Sequence, residues 1–87
     1  MKIITTKKYL RQAGRMPSVL YQKLRERTSL FAEQPFHPLL ENHPLNGCWR
    51  GYRSINITGD WRVIYEPIGT DLVRFVEVGT HHDLYGT

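Results

Sequence analysis

The 87-residue chain has a single cysteine, Cys48. One thiol cannot build an internal disulfide framework or a multi-cysteine zinc site, and it predicts a reducing compartment. No apolar run approaches the roughly 18 residues of a membrane span. The opening residues are charged and no apolar stretch follows them, so no secretory leader and no membrane contact are predicted, and the expected location is the cytoplasm. There is no P-loop, no Gly-rich dinucleotide fingerprint and no nucleophile elbow. There is also no internal repeat. Acids are scarce at the start: residues 1–27 hold only Glu26, against Lys2, Lys7, Lys8, Arg11, Arg15, Lys23, Arg25 and Arg27. The later residues are slightly acidic, so the net charge of +4 comes from the first third. Such a cluster is either a solvated helix face or a phosphate-facing surface.

What remains supports one small domain over residues 1–87. Hydrophobic residues make up 40% and aromatics 11% of the chain, enough for a compact core and too much for disorder. Residues 1–5 read as a short strand with two β-branched isoleucines. Thr5 and Thr6 are N-cap candidates for a helix over about 6–13, with Gly14 as its stop. Pro17 suits the start of a second helix. Val19, Leu20, Leu24, Leu30 and Phe31 are expected on one side of it. Pro35 and Pro38 end it, and residues 35–48 read as a loop.

From Trp49 the chain reads as strands. Arg50–Ile57, Trp61–Glu66 and Leu72–Val78 form a meander, joined by turns at Thr58-Gly59-Asp60 and at residues 67–71. Residues 79–87 read as a short polar tail. The predicted class is α+β: two N-terminal helices on one face of a small, mostly antiparallel four-stranded sheet, in the order β-α-α-β-β-β. Alternation puts Ile55 and Ile57 toward the helices and Ser54 and Asn56 away from them. Val63 and Tyr65 are placed inward and Arg62 outward, since burying a guanidinium is costly. The face away from the helices is expected to be open.

Four histidines, His37, His43, His81 and His82, lie outside the predicted core. A lone surface histidine is usually inert, and Asp60 and the tryptophans also have ordinary turn and packing roles. Adjacent His81 and His82 lack the helical spacing of metal ligands, so no metal and no cofactor are expected. Histidines, arginines and an open sheet fit cleavage of RNA without metal. That reaction needs a base for a ribose 2′-OH, an acid for the leaving 5′-oxygen, and cations for the phosphorane-like transition state. Histidine can serve either proton transfer near neutral pH, and arginine suits the phosphate.

The stretch His43-Pro-Leu-Asn-Gly-Cys-Trp-Arg-Gly-Tyr-Arg53, with Asp60-Trp61, Ile64-Tyr65, Gly79-Thr80-His81 and Leu84-Tyr85-Gly86, resembles the RelE superfamily of bacterial toxins, most closely its YafQ branch. The resemblance implies a toxin of a type II toxin–antitoxin system. It implies a ribosome-dependent mRNA endonuclease, neutralised by a DNA-binding antitoxin encoded beside it, with the 70S ribosome and mRNA as the other partners. It also implies roles: His81 as general acid, His43 or Asp60 as base, and Arg62, a residue of the RelE-like strand, for phosphate charge. Trp61, Tyr85, Arg53 and Asn56 would contact RNA. Asn56 departs from the branch, which has a histidine there; RelE-like members have a lysine. An amide is neither base nor cation. Two rivals stay open: a ParE-like toxin that binds DNA gyrase without nuclease chemistry, and a decayed toxin that only binds its antitoxin.

Overall fold

A computed structural model describes residues 1–86. Five strands, β1 (Lys2–Thr5), β2 (His43–Pro44), β3 (Arg53–Thr58), β4 (Trp61–Gly69) and β5 (Leu72–Thr80), form one mixed sheet in the order β1-β5-β4-β3-β2. Helices α1 (Lys7–Gly14) and α2 (Ser18–Glu33) precede β2, and a short helix α3 (His81–Tyr85) follows β5. The α+β class and the mostly antiparallel sheet hold, but two details of the expectation, the strand count and the tail, do not. The sheet has five strands rather than four, because His43 and Pro44 pair with Ser54 and Arg53 at its far edge. β1 joins the other edge in parallel with β5, while the remaining pairings are antiparallel. The residues expected as a polar tail continue β5 to Thr80 and then coil into α3; Thr87 lies outside the described residues.

Local chemistry accounts for the helices. Thr6 caps α1: its Oγ1 accepts from the Tyr9 N–H at 3.0 Å and donates to the Val76 carbonyl at 2.8 Å, tying the helix start to β5. Tyr9 and Ala13, one turn apart, are buried. In α2 the buried stripe runs through Leu24 and Phe31, with Leu20 and Leu30 packed beside it. Val19 is 76% exposed, contrary to expectation. At about 100° per residue it sits well off the stripe through Leu20, Leu24 and Phe31.

Both helices cover the face that carries Ile55, Ile57, Val63, Tyr65, Val73, Phe75 and Val78. Val73, Phe75 and Val78 do not alternate strictly. The β4–β5 register shifts between Ile64 and Tyr65, and this bulge returns Val78 to the helix side. Phe31 lies at the centre, with ring centroids 4.9 Å from Tyr65 and 5.6 Å from Phe75. Gly59 takes the left-handed φ of 51° in the two-residue turn that joins β3 to β4. Among the described residues, no helix is long and apolar enough to cross a membrane.

Candidate active site

The sheet face away from the helices is not open, and this corrects the expectation from alternation. Ser54 and Ile64 are register partners on that face, and both are fully buried. A chain segment that includes β2 and a 3₁₀ turn, Gly47–Trp49, flanks one side of it. Helix α3 flanks the other. Gly79 pairs with Arg62, and a Cβ there would meet the Leu84 side chain at 3.4 Å. Helix α3 thus packs on β5 beside Arg62, within ordinary van der Waals reach of Gly79. Between the two flanks is a cleft of about 320 Å³ lined by His43, Leu45, Asn46, Trp49, Arg62, His81 and Tyr85.

His43 and Arg62 are each held by a specific neighbour. His43 Nδ1 lies 2.8 Å from the Glu41 carbonyl oxygen. Arg62 Nη1 donates to Asn56 Oδ1 at 2.8 Å, across the paired positions of β3 and β4. Asn56 Nδ2 donates in turn to Glu41 Oε2 at 3.2 Å. Among the described residues, Arg62 has no ion-pair partner within 4.0 Å. A neutral amide thus orients the guanidinium without cancelling its charge.

His81 opens α3. Thr80 caps that helix by accepting from the Asp83 N–H at 3.2 Å. The His81 N–H donates to the Asp60 carbonyl at 3.0 Å, so the β3–β4 turn fixes where α3 begins. One helical turn on, the Tyr85 ring meets the His81 ring edge-on, with centroids 4.6 Å apart. His81 is half-buried, whereas His82 is exposed. The Tyr85 hydroxyl is buried with no hydrogen-bond partner among the described residues.

Of the eight residues singled out in the sequence, His43, Arg62, His81 and Tyr85 share the cleft, and Asn56 stands behind Arg62. Asp60 sits on an exposed turn and reaches the site through its backbone carbonyl. Trp61 packs against the core and lines a separate hollow with Gln12, Arg15 and Asp83. Arg53 is held elsewhere: its Nε donates to Asn42 Oδ1 at 2.8 Å, and its guanidinium lies 5.3 Å from the Phe36 ring centroid. Glu41, Leu45, Asn46 and Trp49 were not singled out as site residues. Three of these four belong to the His43–Arg53 stretch that carried the resemblance; Glu41 had no signal. Among the described residues, no three His, Cys, Asp or Glu side chains gather into a possible metal-holding group.

The basic first third is partly used within the fold. Lys8 pairs with Glu77 and Lys23 with Glu26, each at 3.2 Å, and Arg27 Nε donates to the Ile57 carbonyl at 3.0 Å. Lys2, Lys7, Arg11, Arg15 and Arg25 stay exposed, with no ion-pair partner among the described residues.

Comparison with known proteins gives a consistent picture. A family model described as the bacterial toxin of type II toxin–antitoxin systems, YafQ, matches residues 1–86. The chain is 40% identical over 52 residues to the mRNA interferase toxin YafQ of Escherichia coli K12; that alignment covers 60% of this chain and 55% of the relative. The crystal structure of YafQ from E. coli BL21(DE3) superposes with a TM-score of 0.82 at 26% identity, covering 98% of each chain. The toxin in the E. coli DinJ–YafQ toxin–antitoxin complex superposes at 0.80 with 29% identity, over 98% of this chain and 97% of that one.

Proposed function

Because the chain belongs to the YafQ family of type II toxin–antitoxin toxins, we propose that it is a ribosome-dependent mRNA interferase that cleaves by 2′-OH attack without a metal. The carrying observation is the convergence of His43, Arg62 and His81 on one cleft, from parts of the chain that are far apart in sequence. In this reading His43 takes the proton from the ribose 2′-OH. The oxygen attacks the adjacent phosphorus, and His81 gives a proton to the departing 5′-oxygen. Arg62 offsets the charge that builds on the phosphoryl oxygens. The products are a 2′,3′-cyclic phosphate and a 5′-hydroxyl.

His43 is preferred to Asp60 as the base because it lines the cleft and the Asp60 side chain does not. Tyr85 supports the His81 ring. Arg53 and Trp61 serve the fold. Asn56 does the work of an anchor for Arg62, so the missing histidine need not mean a decayed site. Trp49 offers an aromatic surface for a base at the cleft wall. The exposed cations of the first third meet ribosomal RNA phosphates in the cytoplasm. An antitoxin neutralises the toxin, as DinJ assembles with YafQ.

The test is cleavage of one message in two states. Ribosome-bound mRNA should be cut and the naked transcript should be cut poorly, because an 87-residue chain has little surface with which to order a flexible strand. Efficient cleavage of naked RNA at physiological salt argues against ribosome dependence. DNA damage signalling with intact mRNA on expression points instead to the gyrase-binding class.

A further inference from the structure

Glu41 is the only non-glycine residue among those described with a left-handed backbone, φ 46°. A long side chain is strained there. The conformation brings two of its groups to the supports of two cleft residues. Its carbonyl oxygen lies 2.8 Å from His43 Nδ1, and its carboxylate accepts from Asn56, which holds Arg62. Glu41 itself does not line the cleft.

The donor and acceptor rules fix what these contacts require. A carbonyl only accepts, so His43 Nδ1 must carry the proton, and the neutral ring keeps its lone pair on Nε2. A carboxylate also only accepts. Asn56 must therefore turn its NH₂ toward Glu41 and its oxygen toward Arg62. With the amide reversed, its NH₂ would face the guanidinium donors, and Arg62 would lose its anchor. The carboxylate stays one amide away from Arg62, so it orients the arginine without pairing with it.

We infer that Glu41 is a positioning residue for the proposed cleavage: its backbone carbonyl sets the His43 tautomer, and its carboxylate, through Asn56, holds Arg62 in the cleft. The inference rests on the mRNA-cleaving reading above, but part of its test does not. Glu41→Gly removes the carboxylate while suiting the left-handed backbone, so the fold and the carbonyl contact are kept. On ribosome-bound message, kcat should fall about three- to tenfold, the worth of one orienting hydrogen bond, with little change in KM. In an Arg62→Ala background the same substitution should have no further effect, because its route to the chemistry is already gone. An equal fall in both backgrounds, or no fall in either, overturns the relay through Arg62. Nitrogen–proton NMR gives a readout that needs no activity. His43 should be protonated at Nδ1 in the neutral form, and Glu41→Gly should shift the Asn56 amide and Arg62 guanidinium signals. An Nε2-protonated His43 overturns the backbone role, and unmoved signals overturn the side-chain role. If the native protein leaves ribosome-bound mRNA intact, the functional reading fails by itself, and these NMR signals still decide the positioning.

Discussion

Replacing His81 should separate chemistry from folding in a single substitution. The ring is half-buried and meets the Tyr85 ring edge-on, with centroids 4.6 Å apart. An aromatic pair of that kind contributes about 0.5–1.5 kcal/mol beyond buried area. His81→Ala should therefore cost roughly 1 kcal/mol of stability, more than the ~0.5 kcal/mol typical of an exposed position. The His81 N–H bond to the Asp60 carbonyl is made by the backbone, so α3 should keep its start. Loss of a general acid lowers a rate by about 10²–10⁴-fold, equivalent to roughly 3–5 kcal/mol of barrier. The catalytic loss should thus exceed the stability loss by about 2–4 kcal/mol. His82 is the internal control: adjacent, exposed and outside the cleft. The assay is growth arrest and primer extension on ribosome-bound message, with urea denaturation of each variant. Full toxicity of His81→Ala together with loss of toxicity in His82→Ala would move the acid by one residue. Full toxicity of both would refute histidine acid catalysis at α3.

Other outcomes follow from the same geometry. Phe31→Ala empties the centre of the aromatic cluster and should destabilise the protein by about 3–5 kcal/mol, read from the urea midpoint; a loss under about 1 kcal/mol would contradict the packing. Burial, then the neighbouring Tyr21, raises the Tyr9 pKa from 10.0 to about 12, partly offset by a side-chain hydrogen bond with Thr28. The folded state favours the neutral phenol, so this stabilisation is complete below pH 10 and is lost as pH rises toward 12. Tyr9→Phe should flatten that alkaline decline, and an unchanged decline assigns it to other groups. EDTA should leave cleavage intact, and products should end in a 2′,3′-cyclic phosphate or its 3′-phosphate hydrolysis product; 3′-hydroxyl ends would refute attack by the 2′-OH.

The parts of this protein legible in its sequence are those with a local cause. Thr6 was a cap candidate because a hydroxyl before a helix can accept from an orphan N–H, and it does so. Gly59 marked a tight turn because few other residues take a positive φ readily. Ile55, Ile57, Val63 and Tyr65 were assigned inward by alternation and the cost of burying Arg62, and all four lie in the core. The resemblance motif singled out His43, His81 and Tyr85, which share the cleft wall.

Contacts between distant segments had no local cause to read. Two-residue β2 is too short to show alternation, and only its pairing with β3 makes it a strand. α3 is too short to announce itself by periodicity; its start is tied to the Asp60 carbonyl, and it packs on β5. Those two elements close the face that alternation alone left open. Arg53 and Arg62 are the same residue type on neighbouring strands, yet one stacks on Phe36 and the other faces the cleft. The parity of position along each strand decides which face a side chain takes, but only the packed chain decides what lies on that face. Glu41 is the extreme case: no residue pattern marks it, and its link through Asn56 to Arg62 exists only once the loop, β3 and β4 are folded together.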